Sequence, residues 1–327
     1  MKRIVILHSD VASDAALDDL DTLQQVETIS AALASLGHDP ISVPFDFNLN
    51  ATSSTLISLK PDAVFNLVET VAGRGSMIYF ATALLDSLGI AYTGCRTNAM
   101  YLTSNKPLTK KFLSSAGIYT PAWRTLDGYS EGIAPSETYI LKASWEDASV
   151  GLDDDAVFRT DSPAMLIDAL RQRRQTLGLE CFAEAYIHGR EFNIALLASS
   201  CGVRILPASE ILFEDYPSDK LKLLDYRAKW VEDSFEYDKT RRTLDMDLRD
   251  KALIDRLHEI SLQCWRLFGL RGYARVDFRV DDQGLPWVLE INANPCLSPD
   301  AGFAASLDYA GIKFEQAIDD ILRDALI

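Results

Sequence analysis

The chain has 327 residues, and 32 basic against 48 acidic side chains give it a formal charge of −16. Such a surplus repels phosphate backbones and anionic bilayer surfaces, which excludes nucleic acid and membrane as general partners. With 48% hydrophobic residues and dispersed charge it is no disordered acidic tail, and its length calls for two or three domains or lobes.

No apolar run approaches the roughly 20 residues needed to cross a bilayer. The opening Met1-Lys2-Arg3-Ile4-Val5-Ile6-Leu7-His8 has too short an apolar stretch for a signal peptide and reads as a buried first strand over 3–7. Val26, Ile29, Leu33 and Leu36 then recur at helical spacing within 18–36, and Gly37 closes the segment. Val43 marks a short strand and residues 63–67 another. Ile78, Ala81, Leu84, Leu85 and Leu88 form a helical stripe over 77–88, stopped by Gly89. This βαβ rhythm predicts a small parallel sheet covered by helices on both faces. Five scattered cysteines (Cys95, Cys181, Cys201, Cys264, Cys296) include no CxxC pair, so neither a disulfide framework nor a zinc site is expected, and a reducing cytoplasm fits.

From Asn105, a capping residue, a helix is predicted over 106–116, ended by Gly117. Residues 139–143 read as a strand. Ser162-Pro163 starts a helix to about Gln175, with Ser162 as cap. Strands follow at 180–186 and 191–198, then a helix at about 248–268, a hairpin over 273–292 turning at residues 281–284, and a last helix near 314–326.

The hairpin carries the chemistry. Strict alternation places Ala274, Val276, Phe278 and Val280 on one face and Arg275, Asp277 and Arg279 on the other. On the return strand it puts Trp287, Leu289 and Ile291 on one face and Glu290 and Asn292 on the other. Arg275, Asp277, Glu290 and Asn292 thus converge. Hard oxygen donors of this kind suit Mg²⁺ held by a carboxylate or two plus substrate phosphates, although a solvated polar sheet face would show the same pattern. Lys142 in an apolar strand, Lys106 at a helix start and the small-residue loop Glu146–Gly151 add parts able to neutralise and cover a polyphosphate.

Taken in order, these segments resemble the ATP-grasp superfamily, and within it the D-alanine–D-alanine ligase family. The resemblance rests on Asn105-Lys106-Pro107-Leu108-Thr109-Lys110, the strand ending at Lys142, Glu146–Gly151, and Phe182–Ile187 with Gly189-Arg190-Glu191. It continues through Tyr226–Trp230, Ala274–Asp277 and Leu289–Pro295, and includes Leu88–Gly94 at the end of the first domain. It covers nearly the whole chain. The fold it implies is an α/β ATP-grasp fold: an N-terminal parallel α/β domain (1–103), a central lobe (104–188) and a C-terminal lobe (189–327), the two α+β lobes clamping ATP.

The resemblance also implies roles. Lys106 and Lys142 would bind ATP phosphates and the purine side. Glu184 would accept from the adenine amino group, and Ala185 and Ile187 would offer backbone to the adenine edge. Glu191 would accept from the ribose hydroxyls, Ser149 would sit in the loop over the phosphates, and Lys229 would reach the γ-phosphate. Asp277, Glu290 and Asn292 would hold two Mg²⁺ ions, with Mn²⁺ as a substitute ion. Arg275 would stabilise the oxyanion of a tetrahedral intermediate.

The implied reaction joins an amino-acid or other carboxylate to an amine through an acyl phosphate, in the cytoplasm, by a homodimer. The alternative is a non-catalytic nucleotide-binding regulator or carrier of the same fold, which would have no use for the oxyanion cation. A dinucleotide-binding dehydrogenase is disfavoured, because Gly73-Arg74-Gly75 lacks a third glycine and does not directly follow the first strand. There is no Walker A loop and no Gly-x-Ser-x-Gly elbow, and His8, His38, His188 and His258 show no metal spacing.

The departures from the family are local. The family's Gly-Gly loop and substrate-holding glutamate are replaced by His8–Asp14, where Asp10 or Asp14 is the substitute the sequence offers. The family's His-Gly…Gly-Glu-Asp-Gly segment becomes Asn66–Ser76, its glycine after Asn-x-x-Pro becomes Cys296, and its serine-rich loop becomes Ser298-Pro299-Asp300-Ala301-Gly302. The nucleotide half is kept and the amino-acid half altered, so a substrate other than D-alanine is expected.

Overall fold

The structure is a computed structural model that describes residues 1–11, 15, 17–128, 130–131, 137–160 and 162–327. Asp14 lies outside the described residues.

The chain begins with β1 (Arg3–Ser9), β2 (Asp39–Phe45) and β3 (Ala63–Leu67), paired in parallel in the order β2-β1-β3. Both faces of this sheet are covered, as its continuous apolar strands require. Ile4, Ile6 and Phe65 pack with Ile29 and Leu33 of α1 (Leu17–Ser35), whereas Val5, Leu7 and Val64 pack on the other side with Leu56 of α2 (Leu49–Leu59) and Leu85 of α3 (Tyr79–Leu88). The expected helix over 77–88 begins two residues late, at Tyr79. A 3₁₀ turn at Gly75–Met77 precedes it, and Gly89 (φ 65°) ends it in the left-handed conformation only glycine adopts freely. α2 has no clear apolar stripe in the sequence and was not expected.

Two short helices, α4 (Thr97–Ser104) and α5 (Lys106–Ser115), lead into the second sheet, and the Asn105 side chain caps α5 by accepting from the Leu108 amide. That sheet runs β5-β4-β8-β6-β7, built from β4 (Trp123–Thr125), β5 (Ser130–Glu131), β6 (Glu137–Ala143), β7 (Val157–Thr160) and β8 (Cys181–Ala185). α6 (Pro163–Leu177) lays Leu166 and Leu170 on Tyr139, Leu141 and Ala183. The Ser162 side chain makes no capping bond, contrary to the sequence expectation; its amide instead donates to Thr160 Oγ1, which fixes the turn before the helix.

The third sheet comprises β9 (Arg190–Ser199), β10 (Gly202–Ile205), β11 (Ser209–Phe213), β12 (Thr240–Thr243), β13 (Tyr273–Val280) and β14 (Pro286–Asn292). Its order is β12-β11-β9-β13-β14, with β10 beside β9. Between β11 and β12 the chain makes α7 (Tyr226–Trp230) and α8 (Phe235–Lys239). α9 (Lys251–Phe268) packs Leu257, Ile260 and Cys264 on Ile194, Val276 and Phe278. Met100 of α4 and Leu113 of α5 join that same core. The last helices, α10 (Gly302–Tyr309) and α11 (Phe314–Ala325), return to the first sheet, where Ile318, Ile321 and Leu322 meet Ile4, Ile6 and Phe65. Gly272 (φ 65°) lets the chain pass so close to Gly94 that a Cβ there would stand 2.9 Å from its backbone.

Candidate active site

The second and third sheets face each other across a cleft. β13 supplies one wall as its alternation predicts: Val276, Phe278 and Val280 enter the core, and Asp277 and Arg279 line the cleft. β14 does not alternate as expected. The register shifts between Asp277 and Phe278, so Asp277 faces Glu290 while Phe278 faces Val288. The extra residue forms a bulge. Val288 rather than Leu289 joins Ile291 in the core, and Leu289 lines the cleft beside Glu290. The expectation that Trp287, Leu289 and Ile291 share a face is thereby corrected. A period of two cannot be carried through an inserted residue.

Of the predicted residues, Lys106, Lys142, Ser149, Glu184, Ala185, Ile187, Glu191, Lys229, Asp277 and Glu290 all line this cleft. Arg275 reaches it through Asp277, to which it donates twice, at 2.7 and 2.8 Å. Asn292 faces Arg275 across the hairpin, and its side-chain oxygen accepts from the Asn294 amide at 2.9 Å.

Charge organises the cleft. Glu290 sits 3.6 Å from Lys106 and in the fields of Lys142, Lys229 and Arg275, which hold its pKa down at about 2 against the opposing effect of burial. Lys106 also donates to Asp147 (2.9 Å) and to the Glu146 carbonyl (2.7 Å), and these acidic neighbours more than offset the burial that disfavours its charge. Lys229 goes the other way. Burial and the Arg275 charge lower its pKa, with Glu290, Asp277 and Glu191 only partly compensating. Glu191 is raised by burial despite Arg279 at 3.3 Å.

Glu184 bridges two lysines. Its carboxylate accepts from Lys142 at 2.5 Å and is ion-paired with Lys110, and the two ammonium groups lower its pKa in spite of complete burial. Lys110 appears among the motif residues, yet nothing in the sequence marks it as buried. It also donates to Thr120 Oγ1, whose hydroxyl donates to the Val288 carbonyl. This chain ties α5 to β8 and β14. Replacing Lys110 with methionine leaves a buried carboxylate with one partner fewer, so roughly 3 kcal/mol of unfolding free energy is expected to be lost. Urea unfolding monitored by circular dichroism measures it.

Arg279 was placed on the correct face by alternation but given no role. It is nearly fully buried and donates to the carbonyls of Gly189 and Lys222, which fixes the segment before α7 against β13. The loop between β6 and β7 lies over the cleft with Ala148 (φ 55°) and Ser149 (φ 62°) in the left-handed region, a strained conformation for non-glycine residues. The segment around α7 pins it: Ser149 Oγ donates to the Leu224 carbonyl at 2.8 Å, and Trp230 Nε1 donates to the Ala148 carbonyl at 3.1 Å.

Another cavity shares Glu146, Asp147 and Val150 with the first and is walled by Thr22, Glu69, Thr70, Trp145 and Tyr226. Asp10, one of the two residues the sequence offered for the family's glutamate, is exposed. Asp21 of α1 instead reaches the loop after β14, where it accepts from Ser298 Oγ at 2.6 Å and from the Cys296 thiol at 2.9 Å. Beside it, Gln25 accepts from the Leu297 amide and donates to Glu69. Burial and the charges of Glu69 and Asp21 push the Cys296 thiol up, which keeps it neutral and unsuited to nucleophilic attack.

Among the described residues no group of three or more His, Cys, Asp and Glu side chains could hold a metal ion. The oxygen set of Asp277, Glu290 and Asn292 is too small for an all-protein cage. It fits an Mg²⁺ whose remaining ligands are nucleotide phosphates and water. No helix among the described residues is long and apolar enough to cross a membrane.

The model for the D-ala D-ala ligase C-terminus matches residues 138–323, which contain most of this cleft. A D-alanine–D-alanine ligase from Aquifex aeolicus is 27% identical over 325 residues, covering 98% of this chain and 99% of that protein. An uncharacterised protein from Sinorhizobium fredii is 29% identical over 302 residues, covering 90% and 85%. The crystal structure of D-alanine–D-alanine ligase from Bacillus anthracis complexed with ATP superimposes with a TM-score of 0.69 at 21% identity, covering 100% of this chain and 98% of that one. D-alanyl-alanine synthetase A from Vibrio cholerae gives 0.72 at 14% identity, covering 99% and 98%. At such identities the superpositions speak for the fold, which is ATP-grasp. Within that class, the chain belongs to the D-alanine–D-alanine ligase family.

Proposed function

We propose that this protein is an ATP- and Mg²⁺-dependent carboxylate–amine ligase that forms an amide or peptide bond through an acyl phosphate, with an amino-acid substrate other than D-alanine. The ligase class rests on family membership. The observation that carries the chemistry is the gathering of Lys106, Lys142, Lys229 and Arg275 around Glu290, whose carboxylate stays ionised against burial.

In this reading Lys106, Lys142 and Lys229 hold the phosphates, the purine lies between the two sheets against Ala185 and Ile187, and Glu191 receives the ribose hydroxyls. Asp277, Glu290 and Asn292 hold Mg²⁺, which when bound neutralises phosphate charge during transfer. The donor carboxylate oxygen attacks the γ-phosphorus, and the bond to the β-phosphate oxygen breaks to release ADP. The acceptor amine then attacks the acyl carbon, Arg275 faces the developing oxyanion, and phosphate departs as the amine loses a proton. The Ser149 loop covers the site and excludes water. The altered substrate is supported by the donor end, where His8–Asp14 contains no glutamate and Cys296 stands in place of the family's glycine.

The test is ADP release measured against a panel of amino acids and amines that includes D-alanine. Stimulation by a carboxylate–amine pair other than two D-alanines is the expected result. Release with D-alanine alone overturns the altered substrate. No stimulation by any pair overturns the ligase reading in favour of a non-catalytic nucleotide binder.

A further inference from the structure

Arg242 has no part in the machinery above. It lies on β12 opposite Ile211, Ile211 lies opposite Glu191, and Glu191 lies opposite Arg279. Directly opposed residues share a sheet face, and Glu191 and Arg279 line the cleft. Arg242 therefore stands on the cleft face, at the far edge of the third sheet.

Its guanidinium lies along the loop after β14. It donates to the Asp300 carbonyl at 3.3 Å, and a Cβ on Gly302 would meet its Nε at 3.4 Å. Among the described residues no carboxylate pairs with it, whereas its neighbour Arg241 pairs with Glu214 and Arg190 pairs with Glu210 and Asp250. Arg242 is exposed at this edge of the sheet, and the adjoining protein and the Arg275 charge lower its pKa, with Asp300 offsetting them only in part.

The Arg242 and Arg275 charges thus oppose each other, and of the two only Arg275 has a carboxylate partner. An arginine fork with a single carbonyl acceptor suits a carboxylate, which it can bind through two parallel bonds. β12 is the third strand from β13, on which Arg275 faces the reacting centre, so a carboxylate held by Arg242 lies away from the reacting nitrogen.

We propose that Arg242 is a specificity-determining residue that selects an acceptor amine carrying a carboxylate distal to the reacting nitrogen. An acidic amino acid or a short peptide with a free C-terminus presents such a group. The inference rests on the ligase reading and names the class of its second substrate.

The experiment measures kcat/KM for alanine, aspartate, glutamate and alanyl-alanine as acceptors, in both configurations, with the wild type, Arg242→Gln and Arg242→Lys. The expected wild-type preference for a distal carboxylate over alanine is about 10- to 100-fold, and Arg242→Gln removes it by raising the acceptor KM. The KM for ATP stays unchanged, and Arg242→Lys retains part of the preference. The aspartate and glutamate arms separate a side-chain carboxylate from the C-terminus that alanyl-alanine supplies. Equal use of alanine, or a preference that survives Arg242→Gln, overturns the inference. If no pair releases ADP, the ligase reading falls on its own. Calorimetric binding of glutamate and alanyl-alanine to the ATP-loaded protein then decides the inference: weakening by Arg242→Gln supports it, and no difference overturns it.

Discussion

Glu290→Gln is expected to lower ADP release at saturating ATP by at least about 100-fold while the protein stays folded. The magnitude follows from the charge that Glu290 supplies. Metal-ion stabilisation of a transferring phosphoryl group is worth several kcal/mol, and each 1.4 kcal/mol is about tenfold in rate. A glutamine keeps the shape and one oxygen but removes the charge that would hold the ion. It also removes the anion that balances Lys106 and Lys229. The pKa of Lys229, already lowered, falls further, so nucleotide binding by the variant should fade at a lower pH than in the wild type. The fold survives because the β14 backbone pairs with β13 on either side of the bulge and Val288 and Ile291 remain in the core. Single-turnover phosphate release and far-ultraviolet circular dichroism check the two halves. Release at the wild-type rate by a folded variant would remove Glu290 from the metal site.

The same region shows what a sequence can disclose. Asp277 and Glu290 were legible as partners because two apolar strands joined by Asp281–Gly284 can form a hairpin in few registers. Leu289 was not, because a bulge changes the face of a residue without changing its composition. The helices with amphipathic stripes, such as α1 and α9, were visible from spacing. α2, α4 and α10 were not, since Thr52, Thr103 and Ser306 occupy buried positions there and break the apolar period. The buried lysine Lys110 looked like an ordinary helix residue, and only the fold reveals that Glu184 and Thr120 surround it. Asp21 escaped for a related reason. A helical aspartate reads as solvated surface until a loop from the far end of the chain, Cys296 to Ser298, closes against it.

Arg275→Ala is expected to keep nucleotide affinity within a few-fold and to lower amide formation by about 100- to 1000-fold, the cost of deleting one oxyanion donor. Two neighbours make the outcome specific. Asp277 loses both bonds it receives from Arg275. With its carboxylate released from that pair, Asp277 remains free to take a cation, so ATP binding need not suffer. Lys229 loses the repulsion of the Arg275 charge, and its lowered pKa moves back up toward the ordinary lysine value. A lysine that stays charged to higher pH extends nucleotide binding to higher pH. The variant should therefore bind ATP at alkaline pH at least as well as the wild type while failing to join the second substrate. A merely structural role for Arg275 would weaken both functions together. Calorimetric titration with a non-hydrolysable ATP analogue across the alkaline range, set beside product formation at saturating substrates, separates the cases. Ligation at the wild-type rate would show that the oxyanion is met by a group other than Arg275.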